Sequence, residues 1–127
     1  MSVDRLKRDL LNKLINARLD LAAYLQLRKA KGYMSVSESE HLRDNLFELC
    51  NFMREKAPTL KAEYDESELM ALRRAAEVLS IAGVCLMNGR HDCPNFIAVN
   101  AEKLENCLTT LSLCIMCLNK HAQLEEH

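Results

Sequence analysis

Residues 3–32 read VDRLKRDLLNKLINARLDLAAYLQLRKAKG, and their pattern decides the fold. Apolar side chains recur at steps of three and four, which places them on one face of a helix. That face comprises Val3, Leu6, Leu10, Leu14, Ala17, Leu21 and Leu25. Gly32 follows three basic residues and suits a left-handed helix stop. The spacing predicts a long first helix over 3–31, about 43 Å in length at 1.5 Å per residue.

Three later stretches show the same helical spacing, and capping residues mark their starts. Ser35 and Glu38 form a capping box before a helix over 36–57, which Pro58 ends. A second box, Asp65 with Glu68, precedes a helix over 66–87, and Asn100 caps a helix over 101–123. The predicted apolar faces comprise Leu42, Leu46, Leu49 and Met53, then Leu69, Leu72, Ala76, Leu79, Gly83 and Leu86, and finally Leu104, Cys107 or Leu108, Leu111, Cys114 or Ile115, and Leu118.

The expected fold class is all-α, because no stretch alternates as a strand or carries a hairpin signal. Connections of short to moderate length favour antiparallel neighbours. We therefore expect a four-helix antiparallel up-down bundle with a long first helix. With 127 residues the chain is expected to form a single helical-bundle domain over 1–127. The long first helix would overhang its neighbours and offer a surface for a homodimer.

Composition predicts a soluble protein, and the lack of a targeting or membrane-spanning segment predicts that it stays in the cytoplasm. Apolar residues make up 49% of the chain and charged residues 28%. The N-terminus, MSVDRLKRD, holds no apolar segment, and the longest apolar stretch, LSIAGVCLM at 79–87, is too short to span a bilayer. No membrane partner is expected, and the six cysteines should be reduced thiols.

Charge is unevenly distributed, and one end of the predicted bundle collects basic and aromatic residues. Residues 1–32 hold eight Lys and Arg against three Asp and Glu, so the remainder of the chain is acidic. In an up-down bundle the turn after the first helix and the loop 88–100 lie at the same end. The candidate interaction surface there comprises Arg28, Lys29, Lys31, Tyr33, Arg90, His91, Cys93 and Phe96.

The cysteines and histidines do not complete a predicted metal site, so we expect no metal and no cofactor. Cys117 would lie roughly 25 Å from the loop that carries His91 and Cys93, too far for one ion. Cys50, Cys114 and Cys117 share a depth in the bundle, but this three-thiol cluster lacks a fourth ligand. The Cys114-Cys117 pair also lies toward a helix C-terminus, where the dipole opposes thiolate formation. A thiol or metal sensor remains an alternative.

Catalysis and nucleic-acid binding have less support than protein contact. The sequence holds no nucleophile elbow, phosphate-binding glycine loop, H-E-x-x-H or dinucleotide fingerprint, so no catalytic residue is predicted. Few aromatic residues and no Trp disfavour a base-stacking surface. Direct DNA binding remains an alternative, since Arg5, Lys7, Arg8, Lys13 and Arg18 could contact phosphates. The only helix-turn-helix candidate opens its second helix with Glu38 and Glu40, which would repel DNA.

Two long runs carry a resemblance to a known family. DLLNKLINARLDLAAYLQLRKAKGYMSVSESEHLRDN, 9–45, and CLMNGRHDCPNFIAVNAEKLENCL, 85–108, closely resemble the enterobacterial BssR family of biofilm regulators. The similarity spans essentially the whole chain and is loosest over 50–80. It implies regulation of biofilm formation, linked to stress, catabolite repression and indole or autoinducer signalling. The expected function is that of a non-enzymatic regulator that contacts an unidentified regulatory protein.

Overall fold

The computed structural model describes the backbone of residues 2–32, 34–87, 90–93, 96–98 and 100–125, and the side chains of 5–32, 34–87 and 100–119. Its helices are α1 (Ser2–Lys31), α2 (Val36–Glu55), α3 (Ala57–Glu63), α4 (Glu66–Met87) and α5 (Ala101–Glu125). Three short strands, β1 (Met34–Ser35), β2 (Arg90–Cys93) and β3 (Phe96–Ala98), lie in the connections. The expectation of a helical fold is confirmed, since the described chain is nearly all helical.

The four long helices pack in a ring in which each contacts two others. α1 contacts α2 and α5, and α4 contacts α2 and α5. Contacts between α1 and α2 run in opposite order along the two helices. Tyr24 near the end of α1 bonds to Ser39 near the start of α2, whereas Lys13 lies 5.0 Å from the ring centre of Phe52 near the end of α2.

The predicted apolar faces form the core of this ring. The fully enclosed side chains of this core come from all four long helices and from Met34 of β1. The largest apolar side chains without appreciable exposure are Leu10, Leu14, Leu21, Met34, Leu46, Leu79, Leu86, Leu104 and Leu111. Leu6, Leu69 and Ala76, which the pattern also predicts to be buried, are only half-buried at the edge of the core. None of the described helices combines the length and the hydrophobicity that a membrane-spanning helix needs.

The helix starts match the predicted capping motifs. The Ser35 hydroxyl accepts from the Glu38 amide at 3.1 Å. Asp65 and Glu68 make the full reciprocal box, with amide-to-carboxylate distances of 2.8 and 3.2 Å. Asn100 accepts from the Lys103 amide at 3.0 Å. These local bonds satisfy amides that have no partner inside the helix, which is why α2, α4 and α5 begin where they do.

The connections differ from the sequence expectation. α2 ends at Glu55, and a separate seven-residue helix, α3, follows with Pro58 in its first turn, where a missing amide is tolerated. Leu60 of α3 is buried against the core. The segments expected to be loops hold a small antiparallel sheet in the order β1-β3-β2. Met34 pairs with Ile97 in this sheet, and Cys93 pairs with Phe96.

Candidate interaction surface

The corner between α1 and α2 is built on a glycine. Gly32 has φ of 83°, a left-handed conformation that costs glycine little because it has no Cβ. Its amide donates to the carbonyl of Arg28 at 2.7 Å. This bond ends α1 and turns the chain into β1, so the basic last turn of α1 lies beside the start of α2.

Charge pairing then ties the two helix ends together. Lys31 donates to a carboxylate oxygen of Glu38 at 3.1 Å, and the Ser35 hydroxyl donates to the same oxygen at 2.8 Å. The hydrogen bonds from Ser35 and Lys31 lower the pKa of Glu38 below its ordinary value of 4.5. Their stabilising contribution is therefore present above pH 4.5 and is lost as the pH falls through the lowered pKa.

A buried polar pair lies beneath this charged layer. The hydroxyl groups of Tyr24 and Ser39 lie 2.8 Å apart, and the Ser39 hydroxyl also donates to the Ser35 carbonyl at 3.0 Å. Since that bond uses the Ser39 proton, Tyr24 donates to Ser39. Ser39 is fully enclosed, and burial raises the pKa of the Tyr24 phenol. Because an unmade buried bond is costly, the pair holds α1 and α2 in one relative position.

We expect Ser39→Ala to lower the free energy of unfolding by about 1–3 kcal/mol, because it leaves the buried Tyr24 hydroxyl without its acceptor. Adding Tyr24→Phe should recover much of that loss, since both polar groups are then gone. Urea unfolding of the two single variants and the double variant measures the coupling. Strictly additive losses would contradict a direct bond between the two hydroxyls.

The sheet joins the segments that carry the predicted surface. β3 pairs with β1 on one edge and with β2 on the other, so the backbones of Phe96, His91 and Cys93 belong to the sheet that adjoins the α1–α2 corner. Tyr33 lies outside the described residues. The side chains of Arg90, His91, Cys93 and Phe96 lie outside them as well, and only their strand pairing is described.

Three described members of the surface are cations in the last turn of α1. Lys29 is exposed, Arg28 is half-buried close enough to act on Tyr24, and Lys31 is bound to Glu38. Within the described residues no ion pair involves Arg28 or Lys29. The arrangement can therefore present positive charge to an acidic partner at a rigid corner.

The thiols behave as packing groups in this structure. The Cys50 thiol donates to the Ala76 carbonyl at 3.7 Å, and burial raises its pKa. Burial also raises the pKa of the Cys107 and Cys114 thiols. In the described part of the chain, no three His, Cys, Asp or Glu side chains lie together as metal ligands, so Cys50, Cys114 and Cys117 do not form a three-thiol cluster.

Two of the cations suggested for DNA contact are engaged with rings instead. The Lys7 ammonium lies 4.7 Å from the ring centre of Tyr64, and Lys13 lies over Phe52. Such contacts use the cation to cover an aromatic face. Arg5 and Arg8 remain exposed on α1, more than four turns from Lys29.

Two residues that order this corner, Tyr24 and Ser39, are absent from the sequence-based prediction. Ser39 follows the cap at Ser35 by four residues, a spacing from which its hydroxyl can bond back to the preceding carbonyl. That spacing was the one local indication that the Ser39 hydroxyl takes part in the helix start. The hydrogen bond between Ser39 and Tyr24 joins two helices, so the sequence of neither helix alone could predict it.

Comparisons with known proteins agree with the resemblance in sequence. A family model described as "Biofilm formation protein (YliH/bssR)" matches residues 1–126. The chain is 60% identical over 126 residues to the Biofilm regulator BssR of Escherichia coli strain K12, covering 99% of each chain. The BssR proteins of Escherichia coli O157:H7 and Shigella flexneri match to the same extent. No solved structure matches. The chain therefore belongs to the BssR family of biofilm formation proteins.

Proposed function

We propose that this protein is a non-enzymatic regulator of biofilm formation that acts in the cytoplasm through protein–protein contacts. The observation that carries the proposal is the 60% identity, over 99% of both chains, to a protein named Biofilm regulator BssR. We extend the family resemblance to a link with stress, catabolite repression and indole or autoinducer signalling. Residues 1–127 are proposed as one domain, a four-helix antiparallel up-down bundle.

The contact surface that we propose is the corner formed by the end of α1, the start of α2 and the small sheet. Support comes from the exposed Lys29 and from Arg28, neither of which takes part in an ion pair within the described residues. The bonds among Lys31, Ser35 and Glu38 hold this corner in one conformation, and preorganisation reduces the entropic cost of binding. An acidic surface on an unidentified regulatory protein fits this charge.

The proposed function is tested by replacing the BssR protein of Escherichia coli strain K12 with this chain. We expect this chain, expressed at the native level in a strain lacking its own BssR, to restore the parental amount of biofilm. The measurement is dye-stained biofilm mass after growth with and without glucose, compared with an empty vector. A strain that stays at the empty-vector level despite normal amounts of folded protein would contradict the assignment.

Three further experiments distinguish the proposed protein-contact mechanism from the two alternatives, direct DNA binding and a thiol sensor. A protein-contact regulator should be captured with a cellular protein after crosslinking and should not shift promoter fragments at low salt. A DNA-binding regulator would shift them, and its affinity would fall steeply with added salt. A thiol sensor would lose regulation on Cys50→Ser, whereas the proposed mechanism keeps it.

A further inference from the structure

A groove at the other end of the core is not used by the proposed regulatory contact. It has a volume of about 530 Å³ and lies between α2, α3 and α4. Its floor is formed by buried Met53, Leu60 and Leu72. Phe47 and Cys50 line one wall. The volume falls within the range of about 300–1,000 Å³ that is typical of small-molecule sites.

The charges around this groove have one sign. Arg54, Lys61 and Arg73 line it, and none of its lining residues is acidic. Within the described residues, no carboxylate forms a salt bridge with any of the three. Helix C-termini favour cations, which accounts for Arg54 and Lys61 in the last turns of α2 and α3. Arg73 lies in the N-terminal half of α4, where the helix dipole gives it no such advantage.

We propose that this groove binds a small amphipathic anion, a molecule with an apolar chain or ring and one carboxylate. The apolar body lies on Met53, Leu60 and Leu72, and the carboxylate lies between Arg54 and Arg73. A guanidinium suits this role because its planar donors match a carboxylate. The apolar floor of the groove favours an apolar chain or ring, and the cations at its rim favour a negatively charged group. The ligand therefore needs both an apolar part and a carboxylate.

Titration calorimetry with decanoate, and with the neutral decanamide as its matched control, tests the proposal. We expect decanoate to bind the wild-type protein at least tenfold more tightly than decanamide. Arg54→Gln with Arg73→Gln should weaken decanoate binding about tenfold and leave decanamide binding unchanged. A second double variant, Arg74→Gln with Lys103→Gln, removes the same charge from residues along the separate α4–α5 groove and should bind decanoate as the wild type does.

A steric variant locates the site independently of charge. Ser80 is exposed at the rim of the groove, so Ser80→Phe should fill it without disturbing the core and should reduce binding of both ligands. Equal binding of decanoate and decanamide by the wild type, undiminished binding by the Arg54 and Arg73 variant, or no binding would overturn the proposal. A dimer that dissociates on Ser80→Phe would assign the groove to self-association and would also overturn it.

Discussion

Leu111→Ala is expected to lower the free energy of unfolding by about 3 kcal/mol. Leu111 has no exposed surface and lies in the core face of α5. Truncation removes three carbon atoms that pack in the core and leaves a cavity that the surrounding helices fill only partly. Both the lost contacts and the cavity destabilise the fold. Because domains of this size are stable by about 5–15 kcal/mol, the loss should be plain in urea unfolding followed by circular dichroism.

The matched control is the same substitution two residues along the same helix. Leu113 is 60% exposed, and Leu113→Ala should change the free energy of unfolding by no more than about 0.5 kcal/mol. Comparable losses for the two variants would mean that the core face of α5 is not the one described.

Gly83→Ala is expected to destabilise the protein, although alanine is ordinarily the better helix former. A Cβ built on Gly83 would lie 2.5 Å from Cε1 and 2.6 Å from Cζ of Phe47, so the ring would have to move. Overpacking of this kind costs about 1–3 kcal/mol. The helix-propensity gain of about 1 kcal/mol is subtracted from that cost, so we expect a net loss of up to about 2 kcal/mol.

Removing the ring should reverse the sign of this effect. In a Phe47→Ala background, Gly83→Ala meets no ring and should stabilise the protein by up to about 1 kcal/mol. Urea unfolding of the four members of this cycle gives the coupling energy. If Gly83→Ala has the same effect with and without Phe47, the close contact between α2 and α4 is not as described.

Local chemistry explains why the helix starts could be predicted. The capping boxes at Ser35 and Asp65 and the cap at Asn100 need only residues within one turn, and each forms the expected bond. Gly32 ends α1 for a similarly local reason, its positive φ. Helical spacing of leucines likewise identified the core face, because the period of a helix determines which side chains share a side.

Features that depend on contacts between distant segments were not predictable in the same way. β1 has two residues and β3 has three, so neither is long enough to show alternation, and both depend on pairing with each other. α3 has only seven residues, and its place depends on burial of Leu60 in the core formed with the other helices. The contact of Phe47 with Gly83 joins residues 36 positions apart.

The candidate surface was only partly accessible to sequence reasoning. The cations at the end of α1 were evident from composition, and the predicted proximity of residues 28–35 to the 88–100 segment is consistent with the pairing of β1 with β3. The hydrogen bond between the Tyr24 and Ser39 hydroxyls, which orders the corner, could not be predicted, because the two residues belong to different helices. Function itself came from family membership rather than from any single residue.

Biofilm mass in the strain lacking its own BssR, complemented with two charge-matched variants, tests the central claim most directly. Arg28→Gln with Lys29→Gln removes two charges from the proposed contact surface. Arg5→Gln with Arg8→Gln removes two exposed charges about 30 Å away along α1. Both proteins should retain wild-type helicity and melting temperature. We predict that the first variant fails to restore regulation and that the second restores it fully. Full regulation by the first variant, or its loss only in the second, would contradict a contact surface at this corner.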